Sequence, residues 1–398
     1  MVDERYILNA LLDSYEKSSW YEKGYSKQRV RLLCIGEKGD KDIKSSLESL
    51  EGEEIFWKAL RRLEEKDLIS WSFEKHQPDV VEKIFLKHPE NTGPIYSFLG
   101  RPDPKVKAEE LSELLGQFQC SSRELGEALE NYRNNLAERK KITHPFSEDI
   151  KKDMEILAAS DAVASLEREE SERLFSSRLF GDSKRFERDL KESVTALLHL
   201  AFPSLPKEEI LRCMGLVRYP EVISYSGPMT TDFTDSSLVP GSSYIDSDAV
   251  NRLTEVYTTA KTVLTIENKA SYYDEVMKRK EDMLIIYTGG YPSPALLRLL
   301  KMLERPGLAF LHWGDIDEGG FRIFRTLQDV LPGLTPFRMD RDTLLSNIGR
   351  CSSLDSKGND YRKRLEGLLS DERYEVFSPV ISLMLEKGIW LEQEILGI

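Results

Sequence analysis

The spacing of hydrophobic residues changes several times along the chain. Ile7, Leu8, Leu11 and Leu12 recur at helical intervals within Arg5–Tyr15, and Ile55, Phe56, Leu60 and Leu63 do the same within Glu54–Glu65. Lys27–Leu33, between them, is a short basic and apolar stretch. After Lys66-Asp67 the spacing shortens: Leu68–Phe73 alternates as a strand does, and Val80–Leu86 offers it a partner. Turn clusters follow at His88–Pro94 and Gly100–Pro104. From Lys105 to about Glu187 the chain is charged and helical, with Leu111, Leu114, Leu115 and Phe118 on one stripe that Leu125, Leu129 and Tyr132 continue, and Pro145 interrupts it. A further helix spans Arg185–Leu200, and Tyr219–Tyr244 reads as loop-rich, with turns at Gly227-Pro228 and Pro240-Gly241.

Beyond that point strands alternate with helices. Val263–Ile266 ends in Glu267-Asn268, Met283–Thr288 ends in Gly289-Gly290, and Leu308–Trp313 ends in Gly314-Asp315-Ile316-Asp317. Helices are expected over Ser293–Glu304 and from near Gly320, with one more strand at Leu334–Arg338. Alternation with connections of this length predicts a parallel sheet with right-handed crossovers. The fold class is therefore α/β and α+β, multidomain. Helix, helix and two-stranded ribbon in residues 1–100 is the order of a winged-helix module, and residues 101–180 read as a helical arm.

Composition narrows this picture. At 398 residues two to four domains are expected, and 40% hydrophobic residues suffice for real cores. No apolar run approaches the length of a membrane span, so no membrane association is expected. Val2–Tyr6 has no basic start leading into an apolar stretch, so no secretory signal is read. Cys34, Cys120, Cys213 and Cys351 are widely spaced, which fits reduced thiols in a cytoplasm better than disulfides or zinc. The net charge of −13 weighs against a simple basic nucleic-acid binder.

The chemistry gathers at the strand ends. Ligands of a parallel sheet sit at its carboxyl edge, where Glu267, Asp315 and Asp317 all fall. Bare carboxylates placed together repel unless a cation compensates, and an oxygen-only set suits Mg²⁺ or Mn²⁺, the ions used in phosphodiester chemistry. The competing reading of Asp315-x-Asp317 is a helix N-cap with a turn residue. Asn268 either supports the site or caps the next helix. Lys184 and Arg185 either contact phosphates at a helix start or follow an Asp182-Ser183 cap. Arg322 and Arg325, one turn apart, face a phosphate or form surface ion pairs. Glu392 and Glu394 approach the site or pair with arginines, and His312 is expected to be packed or hydrogen-bonded on the face opposite Leu311 and Trp313.

A strand ending in Glu, followed by a strand ending in Asp-x-Asp, resembles the Toprim fold of topoisomerases, primases and some nucleases. Gly314–Arg322, with Leu264–Asn268 upstream, resembles more specifically the JetD family, the nuclease subunits of Wadjet anti-plasmid systems, which are similar to the A subunit of topoisomerase VI. Leu179–Phe186 and Trp390–Glu394 resemble further stretches of that family in the same order, so the likeness covers residues 170–398. It implies a central helix-turn-helix-like domain at 181–255 and a Toprim catalytic domain at 256–398. Glu267, Asp315 and Asp317 carry over as metal ligands. Glu318 stands where the family more often has proline, and either extends the site or faces water. The resemblance also implies a homodimeric, Mg²⁺-dependent endonuclease that cuts double-stranded plasmid DNA through metal-activated water. Its partners would be a condensin-like SMC ATPase, a kleisin and an accessory subunit. Two alternatives stay open. One is a topoisomerase-VI-like transesterase using a tyrosine, for which Tyr219, Tyr225 and Tyr244 lie in the expected interval. The other is a non-catalytic winged-helix DNA-binding subunit.

Overall fold

A computed structural model describes residues 2–139, 141–358 and 360–396. The chain forms two compact units, one of residues 1–119 and 126–155, the other of residues 120–125 and 156–398. Among the described residues no helix is long and apolar enough to cross a membrane.

The first unit begins with α1 (Glu4–Tyr15), which Asp3 caps by accepting from the Tyr6 amide at 2.9 Å. Then come β1 (Arg31–Leu33), α2 (Lys41–Ser46), α3 (Leu50–Glu65), β2 (Ile69–Glu74) and β3 (Gln77–Leu86). The three strands form an antiparallel sheet in the order β1-β3-β2. Ile7, Leu8, Leu11 and Leu12 of α1 and Phe56, Leu60 and Leu63 of α3 share one core with Ile69 and Ile84 of the ribbon. The helical stripes and the strand alternation therefore meet as their periods predict. Helices α4 (Pro104–Gln117), α5 (Arg123–Arg139) and α6 (Ile150–Ala164) occupy the charged stretch that follows.

In the second unit, α7 (Glu172–Phe180) and α8 (Lys191–Ala201) precede a six-stranded sheet that organises it. In chain order its strands are β4 (Val222–Ser226), β5 (Ser243–Asp246), β6 (Thr262–Ile266), β7 (Met283–Tyr287), β8 (Ala309–Trp313) and β9 (Leu334–Pro336), and in space they run β9-β8-β6-β7-β4-β5. The four strands β9, β8, β6 and β7 are parallel, whereas β4 and β5 add antiparallel. The sheet is thus mixed, not purely parallel, and part of the stretch read as loop is strand. Val222-Ile-Ser-Tyr-Ser226 does alternate, burying Ile223 and Tyr225, but its five residues are hemmed by Pro220 and Gly227-Pro228, and the turn signals mask it.

β6 is central and buried on both faces, with Val263, Leu264, Thr265 and Ile266 all fully enclosed. α9 (Lys269–Met277), α10 (Pro294–Leu303) and α11 (Glu318–Val330) are the crossovers, capped by Asn268, Ser293 and Asp317. α11 buries Phe321 and Phe324 against Phe377, with ring centroids 4.5 and 4.9 Å apart, just before α13 (Ser378–Lys387). α12 (Tyr361–Leu369) packs beside them.

Leu264 lies at the middle of the central strand without solvent contact. Leu264→Ala is expected to remove roughly 2–5 kcal/mol of unfolding free energy, seen as a lower urea midpoint at unchanged slope. Exposed Lys280→Ala should move that midpoint by less than about 0.5 kcal/mol equivalent.

Candidate active site

The register of the sheet sets which strand ends meet. Ile266 is level with Trp313 on one side and Tyr287 on the other, so Glu267, Gly314 and Thr288 follow side by side. The Glu267 amide donates to the Trp313 carbonyl at 3.0 Å, and the Thr288 amide to the Ile266 carbonyl at 2.9 Å. The chain then turns at Gly314. A β-carbon there would stand 2.6 Å from Oε2 of Glu267 and 3.0 Å from Nε2 of His312. Only glycine lets the glutamate reach across the neighbouring strand end.

Glu267 and Asp315 are half-buried, and the Asp315 amide donates to Oε2 of Glu267 at 3.3 Å. Burial, reinforced by the charges of Asp315 and Asp317, pushes the Glu267 carboxyl up to about 8. Burial likewise raises Asp315 to about 6, with Asp317 and Glu392 adding repulsion, against the pull of a hydrogen bond from the Gln393 amide at 2.6 Å. Asp317 is 8% exposed and has both oxygens engaged. Oδ1 caps α11 by accepting from the Gly320 amide at 2.8 Å, while Oδ2 pairs with the Lys357 ammonium at 3.0 Å. α11 therefore starts at Glu318, two residues before the expected Gly320, and Gly320 lies within its first turn because a β-carbon would meet the Asp315 carbonyl at 2.2 Å.

The other sequence candidates fall as follows. Asn268 caps α9 by accepting from the Ala270 and Ser271 amides, and its Nδ2 donates to Glu394 at 2.5 Å. Glu318 neither extends the acidic group nor faces water freely: Arg322 holds it at 3.0 Å and Arg364 at 2.7 Å. Arg325 is bound to Gln328 and Asp329. Lys184 is exposed and follows the Asp182 cap, whose Oδ1 accepts from its amide, and Arg185 pairs with Asp189 at 2.8 Å. His312 is fully buried, with Nδ1 2.9 Å from the Thr265 hydroxyl. Tyr225 is packed inside the sheet at 2% exposure, whereas Tyr219 and Tyr244 are exposed.

Two contributors carried little signal. Gln393 lies in the Trp390–Glu394 stretch, brought in because Ile316 and Leu391 exchange backbone hydrogen bonds. Lys357 sits in the polar run Ser352–Gly358, 40 residues beyond its partner Asp317.

Residues 233–398 match the family described as Wadjet protein JetD, C-terminal. A protein named Wadjet protein JetD, from Bacillus cereus (strain Q1), is 25% identical over 417 aligned residues that cover 98% of this chain and 97% of that protein. Along nearly its whole length the chain is thus similar to a Wadjet JetD protein, and its C-terminal part matches that family's model. The matched C-terminal region takes in β6 to β9 and all three carboxylates.

The donor set suits a hard divalent cation: oxygen atoms only and largely buried, with Glu267 and Asp315 raised first by burial and then by neighbouring charge. It is not a finished cage. Among the described residues, no three His, Cys, Asp or Glu side chains are gathered as a metal-binding group, and Asp317 is engaged with Gly320 and Lys357.

A carboxyl whose folded pKa lies above its unfolded value keeps its proton longer when folded. The metal-free protein must then lose stability as pH rises from about 4.5 towards about 8. Glu267→Gln is expected to exceed the wild type in stability at pH 8 by about 1–3 kcal/mol, and the two should converge near pH 4.5. Chemical denaturation across that range in the presence of EDTA measures it.

Proposed function

We propose that the chain is the nuclease subunit of a Wadjet system, a Mg²⁺- or Mn²⁺-dependent endonuclease that hydrolyses double-stranded plasmid DNA. The observation that carries this reading is the convergence of Glu267, Asp315 and Asp317 on one edge of the sheet, where burial and the two neighbouring charges raise Glu267 to about 8. The likeness to the JetD family supports the Wadjet assignment. The four parallel strands with a Glu and an Asp-x-Asp at their carboxyl ends support a Toprim domain.

In this reading Glu267 and Asp315 are the primary ligands, and Asp317 joins through its Oδ2. Gln393 fixes Asp315 by its backbone amide and leaves Oδ2 of that aspartate for the ion. A bound divalent cation would polarise the scissile phosphoryl oxygen and lower the pKa of an attacking water. Gly314 keeps the approach to Glu267 open, and the fixed crossovers hold the ligands rigid, so little reorganisation is needed as charge develops.

The first unit has the helix–strand–helix–helix–ribbon order of a winged helix, with its short strand beside the ribbon. We assign it to holding DNA or a partner. A net charge of −13 makes unaided capture of DNA weak. That fits a cytoplasmic enzyme whose DNA is delivered by a condensin-like SMC ATPase with its kleisin and accessory subunit. A homodimer would bring two sites to opposite strands. Of the tyrosines a covalent mechanism could use, Tyr225 is enclosed in the sheet, which leaves exposed Tyr219 and Tyr244 for that alternative.

Cleavage of supercoiled plasmid by the chain together with its partner subunits, with and without Mn²⁺, tests the proposal. Asp317→Ala and Glu267→Ala are each expected to lower the rate by ~100-fold or more, with ends free of protein. Wild-type cleavage by Asp317→Ala would sink the metal reading, and a trapped protein–DNA adduct would replace it with the transesterase.

A further inference from the structure

The acidic edge has a cation of the chain's own. The Lys357 ammonium lies 3.0 Å from Oδ2 of Asp317, the oxygen not used in capping α11. It also stands 3.6 Å from the centre of the Trp390 ring, and its charge pulls on Asp315. The other cationic groups along this edge are committed elsewhere. Arg322 and Arg364 hold Glu318, and Arg212 is shared by Glu209, Glu221 and the Tyr291 carbonyl. None of those pairs involves a carboxylate that a metal would take. Lys357 differs, because its partner is one.

A divalent ion that recruits Oδ2 of Asp317 therefore competes with this ammonium, since two cations at contact distance on one oxygen repel each other. The displaced group does not go far. Its loop is pinned by the pairing of Ser352-Ser353 with Ile389-Trp390 and by a hydrogen bond from the Trp390 indole to Ser356 at 3.3 Å. The Lys357 side chain is 28% exposed, so it can turn to solvent without unfolding anything. What approaches from solvent in a cleavage reaction is a phosphodiester anion, a natural partner for a freed ammonium.

Resting on the metal-site reading above, we infer that Lys357 is an exchangeable counter-ion. It holds Asp317 while the site is empty of metal, gives it up to the divalent cation, and then binds a phosphate oxygen of the DNA beside the metal. Loss of the lysine should then act oppositely on the two steps. Metal binding should tighten, because a competitor is gone, and cleavage should slow, because a phosphate contact is gone.

Titration of the full chain with Mn²⁺, followed by electron paramagnetic resonance of the free ion, measures the first step, and plasmid cleavage by the chain with its partner subunits at saturating Mn²⁺ measures the second. For Lys357→Met the expected result is several-fold tighter Mn²⁺ binding with cleavage at least 10-fold slower. Lys357→Arg, which keeps the charge, should retain wild-type-like Mn²⁺ affinity and most of the cleavage rate. A thermal melt of each variant establishes that it folds. Unchanged or weaker Mn²⁺ binding by Lys357→Met overturns the proposal, as does undiminished cleavage. Absence of Mn²⁺ binding by the wild type instead overturns the metal site itself, and with it this role for Lys357.

Discussion

Repulsion among half-buried carboxylates at the carboxyl edge of the sheet is the constraint to which the surrounding structure answers. Three acids lie within two turns of chain, and desolvation makes each charge dearer than it would be in water. The surroundings relieve this piecemeal. A backbone amide from Gln393 serves Asp315, another from Asp315 serves Glu267, and the positive end of α11 with Lys357 serves Asp317. Glu318 would worsen the repulsion, and Arg322 and Arg364 draw it away. Glu267 receives the least relief and shows the largest rise.

Such an arrangement can persist only on a stiff support. β6, enclosed on both faces, carries Glu267, and its register with β8 places Gly314 under the glutamate with no freedom to slip: a shift by one residue would turn every side chain to the other face. Buried Thr265 and His312, level with each other across β6 and β8, add a polar tie two residues before Glu267 and Gly314. The turn after β8 is fastened from the other side, where Ile316 pairs with Leu391. Rigidity on one side and a pinned but partly exposed loop on the other is a division of labour that metal exchange requires.

Much of this was legible in the residues. The apolar runs of β6, β7 and β8, ending in Glu267, Gly289-Gly290 and Asp315-x-Asp317, state both the parallel strands and the edge where the acids meet, because burial on two faces leaves a continuous hydrophobic signature. The antiparallel strands β4 and β5 left a fainter mark. β4 lies between Pro220 and Gly227-Pro228, and β5 is four residues that follow Pro240-Gly241, so turn signals mask both. Lys357 was invisible for a related reason. A lysine in a polar run looks like solvated surface, and only the long-range pairing of Ser352-Ser353 with Ile389-Trp390 fastens that run beside Asp317. Gln393 acts through its backbone, which no side-chain pattern reveals.

Asp317 shows why two readings of the same residues need not exclude each other. From sequence, Asp-x-Asp before a helix is either a cap or a pair of metal ligands. In the folded chain one oxygen of Asp317 caps α11 and the other points to a cation, the Lys357 ammonium. The cap is what makes the second role possible. By fixing Oδ1 on the Gly320 amide it removes rotational freedom from the carboxylate, so Oδ2 is held at one place on the sheet edge whatever cation occupies it. A free surface aspartate would lose side-chain entropy on binding an ion, and this one has already lost it on folding. The local rule for starting a helix and the chemistry of the edge are thus met by one side chain, and the same economy explains why the glycines sit where they do. Gly314 and Gly320 carry no left-handed backbone; they are small because the carboxylate of Glu267 and the carbonyl of Asp315 occupy the space a side chain would need.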